Sequence, residues 1–177
     1  VPGLRVHLSP EEAARLRRTA ELVAARVEGG VPERGADAVR DRLFPRAYLD
    51  PTEERAEADW QAAVHAELAA AKTEALEVLV GHLDAARRRR TGHLEVRLGP
   101  HDVERWVAAL NDLRLVLGTE LGVSDEDPNP DPAADPAQAP ARATYRFLTA
   151  LQGELVEWLA GDPGLDPLDP DPLDPDG

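Results

Sequence analysis

The chemistry-bearing residues of this chain are few, and the most concentrated group is the run Arg87-Arg88-Arg89-Arg90. Consecutive guanidinium groups can neutralise phosphates, which makes these four the candidate nucleic-acid contacts. The same run is expected at the C-terminus of a long helix, where cations complement the macrodipole; a solvated helix end is the plainer reading of it. The second unusual position is Arg114. Helical phase puts it at the centre of the apolar stripe of Val107, Leu110 and Leu117, with Asn111 and Gly118 one turn to the side. A guanidinium there needs a carboxylate or carbonyls, because an unpaired buried charge costs several kcal/mol. Glu67, Glu74 and Glu154 are the candidate partners, and a glycine at 118 lets another backbone approach. Asn111, Arg114 and Gly118 therefore form a polar cluster, either a structural tie between helices or the lining of a ligand pocket.

Catalytic constellations are missing from the sequence. There is no cysteine, which excludes thiol catalysis, disulfides and cysteine zinc sites. Ser9 reads as a helix cap and Ser124 lies among acids; neither stands in a nucleophile motif. His7, His65, His82, His93 and His101 form no close pair on one helical face. His65 is exposed by phase, whereas His82 falls on an apolar stripe and reads as a satisfied core histidine. Gly29-Gly30 follows a helix, the reverse of the order a phosphate cradle requires. The D-x-D stretches near Asp125 and Asp169 lack the glycine and closing glutamate of a calcium loop. No enzyme, metal or cofactor is expected.

The elements that position these residues follow from periodicity. Leu4–Leu8 and Leu94–Leu98 alternate apolar and polar residues, the period of a half-buried strand. Ser9, Pro10 and Glu12 spell a capping box, followed by Ala13, Leu16, Ala20, Val23 and Val27 at helical spacing. A short helix is predicted from Ala36 to Phe44. Asp50 caps one long helix, or two nearly collinear ones, running to about Arg89, with the stripe Trp60, Val64, Leu68, Ala71, Ala75, Val78, Leu79 and Ala86. Val103, Trp106, Val107, Leu110, Leu113, Leu117 and Leu121 mark another helix after Gly99-Pro100, and a last one spans about Ala141 to Ala160. Setting Leu4 against Leu94 aligns two strand–helix units without a gap: Leu4, Val6, Leu8, Pro10 and Arg15 match Leu94, Val96, Leu98, Pro100 and Arg105. An isolated strand cannot satisfy its own backbone, so the two strands are predicted to pair. The expected fold is mainly α: a helical bundle with a small two-stranded β-ribbon and two strand–helix pseudo-repeats.

Composition sets the domain limits. At 177 residues the chain fits one domain, predicted over 1–160. The formal net charge of −14 is concentrated in two places. Five acids and no base lie between Val123 and Pro140, and six aspartates and no base follow Gly161. Without those eleven the remainder is near −3, so acidity does not argue against a nucleic-acid partner. The segments 123–140 and 161–177 are predicted to be disordered, because they carry one sign of charge and little apolar surface. Lys72 is the only lysine; arginine elsewhere, with abundant alanine, reads as a GC-rich genome. No apolar run reaches the roughly 18 residues of a membrane span, and Val1-Pro2-Gly3 does not open a signal peptide. The absence of an initial methionine suggests a trimmed chain.

The stretch Trp106-Val107-Ala108-Ala109-Leu110-Asn111-Asp112-Leu113-Arg114-Leu115-Val116-Leu117-Gly118-Thr119 resembles the signature of an actinobacterial family of domains of unknown function. Val6 to Glu12, the region of Ala71-Lys72 and Tyr145 to Gln152 are similar to it as well. The resemblance implies a cytoplasmic protein, and some similar proteins are described as transcriptional regulators of the oxidative-stress response. It carries over no catalytic residue. This chain departs from a cysteine-based oxidant sensor, since it has neither cysteine nor methionine to oxidise. The expectation is a regulatory binding protein with a DNA or protein partner, possible as a homodimer and not membrane-bound. A DNA reader would present a basic face built from Arg87 to Arg90, with Arg15, Arg17 and Arg18 as further candidates. A protein–protein adaptor is the alternative.

Overall fold

The computed structural model describes residues 3–28, 36–48, 50–123 and 136–161. The fold is mainly helical, with a small antiparallel sheet. In chain order the elements are β1 (Leu4–Leu8), α1 (Pro10–Glu28), α2 (Ala36–Leu43), α3 (Glu54–Asp84), β2 (Arg87–Arg88), β3 (Leu94–Leu98), α4 (Pro100–Glu120) and α5 (Ala139–Leu159). Of the segments 123–140 and 161–177 predicted to be disordered, 124–135 and 162–177 lie outside the described residues, as does Gly29-Gly30, whereas 136–140 is helical. Pro136–Gln138 forms a 3-10 turn that leads into α5, so the last helix begins earlier than its apolar spacing indicated.

The pairing of the two strands occurs as the alternation requires. β1 runs antiparallel to β3, with Leu4 opposite Leu98, Val6 opposite Val96 and Leu8 opposite Leu94. Because Val6 and Val96 are also equivalent in the repeat, the local dyad relating the two units passes through that pair. The dyad extends to the helices. Buried Ala13, Leu16, Thr19, Ala20 and Val23 of α1 correspond to buried Val103, Trp106, Ala109, Leu110 and Leu113 of α4. Even the caps correspond. Ser9 N–H donates to Glu12 Oε2 at 2.7 Å, and Gly99 N–H donates to Asp102 Oδ2 at 3.0 Å. Only the first unit completes the reciprocal bond, from Glu12 N–H to Ser9 Oγ at 3.1 Å, because glycine has no side chain to accept it.

The sheet has three strands rather than two, in the order β1-β3-β2. Helix α3 stops at Asp84, and the arginine run that was expected to end it instead turns into a hairpin. Arg89 N–H donates to the His93 carbonyl at 2.8 Å and Gly92 N–H to the Arg89 carbonyl at 3.0 Å. Gly92 has φ +89°, the left-handed residue that closes a three-residue hairpin loop.

One face of the sheet supplies Leu4, Val6, Leu8, Val96 and Leu98 to the core, which α4 centres. α4 packs against α1, α2, α3 and α5, and Trp106 in its second turn is fully buried. The Trp106 indole N–H donates to His82 Nδ1 at 3.1 Å, so His82 is satisfied as expected, but it is half-buried at the edge of the core rather than within it. α3 is one continuous helix of 31 residues, about 46 Å long at 1.5 Å per residue. Only its second half is sealed. Ala75, Leu76, Leu79 and Leu83 are buried, whereas Val64 is half-buried and Leu68 exposed. His65 is half-buried rather than exposed, its ring 4.4 Å from that of Phe44.

A candidate nucleic-acid interface on the outer face of the sheet

Alternation along three short strands assembles the most distinctive polar surface of the molecule. With Leu4, Val6 and Leu8 turned to the core, Arg5 and His7 point the other way, and so do Glu95 and Arg97 of β3. Register then sets rows across the sheet: Arg5 faces Arg97, and His7, Glu95 and Arg87 stand side by side. Arg89, one pair beyond, reaches the same carboxylate. The outer face thus carries Arg5, Arg87, Arg89 and Arg97, all exposed, around a single acid.

Glu95 is 2 % exposed, an unusual state for a carboxylate on a solvent-facing surface. Arg97 Nε donates to Glu95 Oε1 at 2.8 Å. Arg89 Nε lies 3.4 Å and His7 Nε2 3.6 Å from Glu95 Oε2. The Arg97 hydrogen bond, opposed by burial and assisted by the charges of Arg89, Arg97 and Arg5, holds the Glu95 carboxyl below the usual carboxylate range. It is ionised at neutral pH and neutralises one guanidinium, leaving the face with excess positive charge. Glu95 Oε2 and His7 Nε2 are buried without a hydrogen-bond partner.

The four consecutive arginines do not act as one block. Arg87 and Arg89 join the outer face, Arg88 stands opposite Leu94 on the other side of the strand, and Arg90 belongs to the hairpin turn. All four are exposed. Arg15 and Arg17 are not part of this surface: on α1 they pair with Glu11 and Asp84. Arg26, Arg46 and Arg105 likewise have acidic partners, Glu120, Glu54 and Glu74. On the outer face Arg89 and Arg97 approach Glu95, whereas Arg5 and Arg87 have no ion-pair partner among the described residues. Sequence reasoning missed Arg5, His7, Glu95 and Arg97 as a site: strand period pairs Arg5 with His7 and Glu95 with Arg97, and only the register between β1 and β3 brings the two pairs together.

The polar cluster around Arg114 is arranged differently from expectation. Arg114 is half-buried, and its guanidinium lies 5.5 Å from the centre of the Tyr145 ring. It donates from Nε to Thr149 Oγ1 at 3.0 Å and from Nη1 to Gln152 Oε1. None of Glu67, Glu74 and Glu154 serves as its partner; Glu74 instead pairs with Arg105 at 3.1 Å. Asn111 is exposed. Gly118 admits a side chain rather than a backbone, since a Cβ there would stand 3.3 Å from Tyr145 Cε2. Arg114 and Gly118 thus join α4 to α5.

The charge actually buried on α4 is Asp112, 3 % exposed, which accepts a hydrogen bond from Lys72 Nζ at 2.7 Å. Burial raises the Asp112 carboxyl above its ordinary range, and Lys72 partly opposes the shift. The lone lysine of an arginine-rich chain was the available signal for this pair. Glu57 is a third buried acid. It accepts the backbone N–H groups of Ala47 and Tyr48 at 3.0 and 2.8 Å and so fixes the loop between α2 and α3.

An apolar recess of about 230 Å³ opens between β1 and α5, floored by Leu4, Val6, Leu8, Phe147 and Leu151. Among the described residues no group of three histidine, aspartate or glutamate side chains could hold a metal ion. No described helix is long and apolar enough to cross a membrane. No curated protein and no solved structure matches the chain. A family profile matches residues 2–159, nearly the whole of the described fold, and the chain belongs to that family, described as a domain of unknown function (DUF2017).

Proposed function

We propose that this protein is a non-enzymatic regulatory binding protein of the cytoplasm that docks duplex DNA on the outer face of its sheet. The observation that carries the reading is the convergence of exposed Arg5, Arg87, Arg89 and Arg97 on one three-stranded surface. A surface of this kind neutralises phosphates, and neutralisation releases counterions, the main source of affinity for nucleic acid. The resemblance to actinobacterial stress-response regulators supports a transcriptional role. Without cysteine or methionine, an oxidant signal would have to arrive through another molecule.

The test is a fluorescence-anisotropy titration of a short labelled duplex at two salt concentrations. It compares the intact protein with a variant carrying Arg5→Gln, Arg87→Gln, Arg89→Gln and Arg97→Gln. The intact protein is expected to bind at low salt with a steep salt dependence, and the variant to bind far more weakly and with a shallower slope. If the intact protein fails to bind even at low salt, the DNA reading falls and a protein–protein adaptor takes its place.

A further inference from the structure

The two arginines nearest Glu95 both approach it sideways. Arg97 and Arg89 present Nε, at 2.8 and 3.4 Å, to different oxygens of the same carboxylate. A guanidinium has five N–H donors, and the Nε–H is only one of them. The terminal Nη groups are therefore left for another ligand, on side chains that remain 49 % and 58 % exposed at Arg89 and Arg97. Glu95 itself is covered, its side chain 1 % exposed, so an incoming anion meets the guanidinium groups and not the carboxylate. The register adds cation on both flanks, Arg5 opposite Arg97 and Arg87 opposite Glu95.

We infer that Arg89 and Arg97 form a clamp for one phosphodiester group, and that Glu95 is the positioning residue that holds both guanidinium groups by their Nε edges with their Nη forks facing outward. The inference rests on the DNA-binding reading above and identifies the contact that defines its site. The planar fork suits a phosphate because two parallel N–H groups meet two oxygens. An arginine already held in place gives up less rotamer freedom when the phosphate arrives. The unsatisfied Glu95 Oε2 is where the clamp still has slack: Arg89 closing on it completes the second hydrogen bond.

Charge and positioning predict opposite signs for the loss of Glu95. By charge alone, removing an acid from the centre of a basic face should tighten binding to a polyanion, by about threefold for one unit charge acting through water across about 6 Å. By positioning, Glu95→Gln releases both guanidinium groups and weakens binding about threefold or more, since a charge-assisted hydrogen bond is worth about tenfold. The salt slope should also fall by about 0.9, the contribution of one phosphate contact.

The experiment uses the full chain and the same labelled duplex. Because Glu95 is buried, its variant is paired with Arg97→Lys, at an exposed position where charge and fold are retained. A single ammonium cannot hold Glu95 and also present a fork to the phosphate. Arg90→Lys, in the hairpin turn, is the control. The expected result is weaker binding and a reduced slope for Glu95→Gln and Arg97→Lys, unchanged binding for Arg90→Lys, and unchanged melting of Arg97→Lys. Tighter binding by Glu95→Gln, or unchanged binding by Arg97→Lys, overturns the clamp while leaving the DNA reading in place. Failure of the intact protein to bind overturns both.

Discussion

Replacing Lys72 and replacing Asp112 should have very different consequences, although the two form a single ion pair. Their contact is 2.7 Å, with side chains 18 % and 5 % exposed. At an effective dielectric of about 20 the attraction at that distance is about 6 kcal/mol, and it is offset by a desolvation cost of several kcal/mol for each ion. The intact pair therefore contributes little net stability, yet its members are unequal when left alone. Lys72→Met strands a carboxylate in the core beside Ala109 and Val116 and should cost about 3–5 kcal/mol at neutral pH. Asp112→Asn leaves an ammonium that can reach solvent along its flexible stem, and should cost about 1 kcal/mol or less. The pH dependence supplies a second signature. Burial raises the Asp112 carboxyl, so the folded state takes up a proton more readily than the unfolded chain. Stability linked to this group is fully present below the unfolded carboxylate value and is lost as pH rises through the folded one. With Lys72 gone the rise is larger, so Lys72→Met should be worst at neutral pH and recover on acidification. Urea melts of the three proteins at neutral and mildly acidic pH decide the matter. A Lys72→Met defect under about 1 kcal/mol, or one equal to that of Asp112→Asn and indifferent to pH, would refute the argument.

Three further outcomes follow from the packing and the charge distribution. Gly118→Ala should be close to neutral, because a helix gain of up to about 1 kcal/mol meets a 3.3 Å approach to the half-buried Tyr145 ring, whereas Gly118→Leu should cost more than about 2 kcal/mol in thermal melts. Glu57→Ala should lower the melting temperature at neutral pH but not at acid pH. Hydrogen bonds from Tyr48 and Gln61 depress the Glu57 carboxyl, so its stabilisation exists above the ordinary value near about 4.3 and is lost as pH falls through the lower folded one. Truncation after Gly161 removes six aspartates and no base, and should tighten duplex binding at low salt, with the difference shrinking as salt rises.

The architecture was legible wherever the pattern was local and repeated. The five-residue alternations at Leu4 and Leu94, and the gapless match of Pro10 and Arg15 with Pro100 and Arg105, pointed to a repeat that the pairing of Val6 with Val96 places in space as a dyad. The hairpin was not legible, because four arginines after a long apolar stripe look like a helix end. Gly92, three residues beyond Arg89, was the only sign of a turn. The exchange of Arg114 for Asp112 has a similar cause. α4 packs against four other helices, so its buried surface is far wider than one stripe, and Asp112 falls between Ala109 and Val116 on the second side. The binding face escaped notice because its residues come from three strands. Glu95 looks like an ordinary polar residue within its own strand, and it is buried only by side chains that cross-strand register brings over it.

The central claim, that the outer sheet face carries the binding, is tested most directly by dividing the arginine run according to its strand geometry. Arg87→Gln with Arg89→Gln removes two charges from the outer face; Arg88→Gln with Arg90→Gln removes two charges from the same four residues but from the opposite side of the strand and the turn. Salt-dependent duplex titrations of the two variants differ in nothing but that placement. The first is expected to lose affinity and to flatten the salt slope by about 1.8, two phosphate contacts, while the second stays close to the intact protein. Equal losses in the two variants would mean that the run acts as undirected charge and that the sheet face does not define the site.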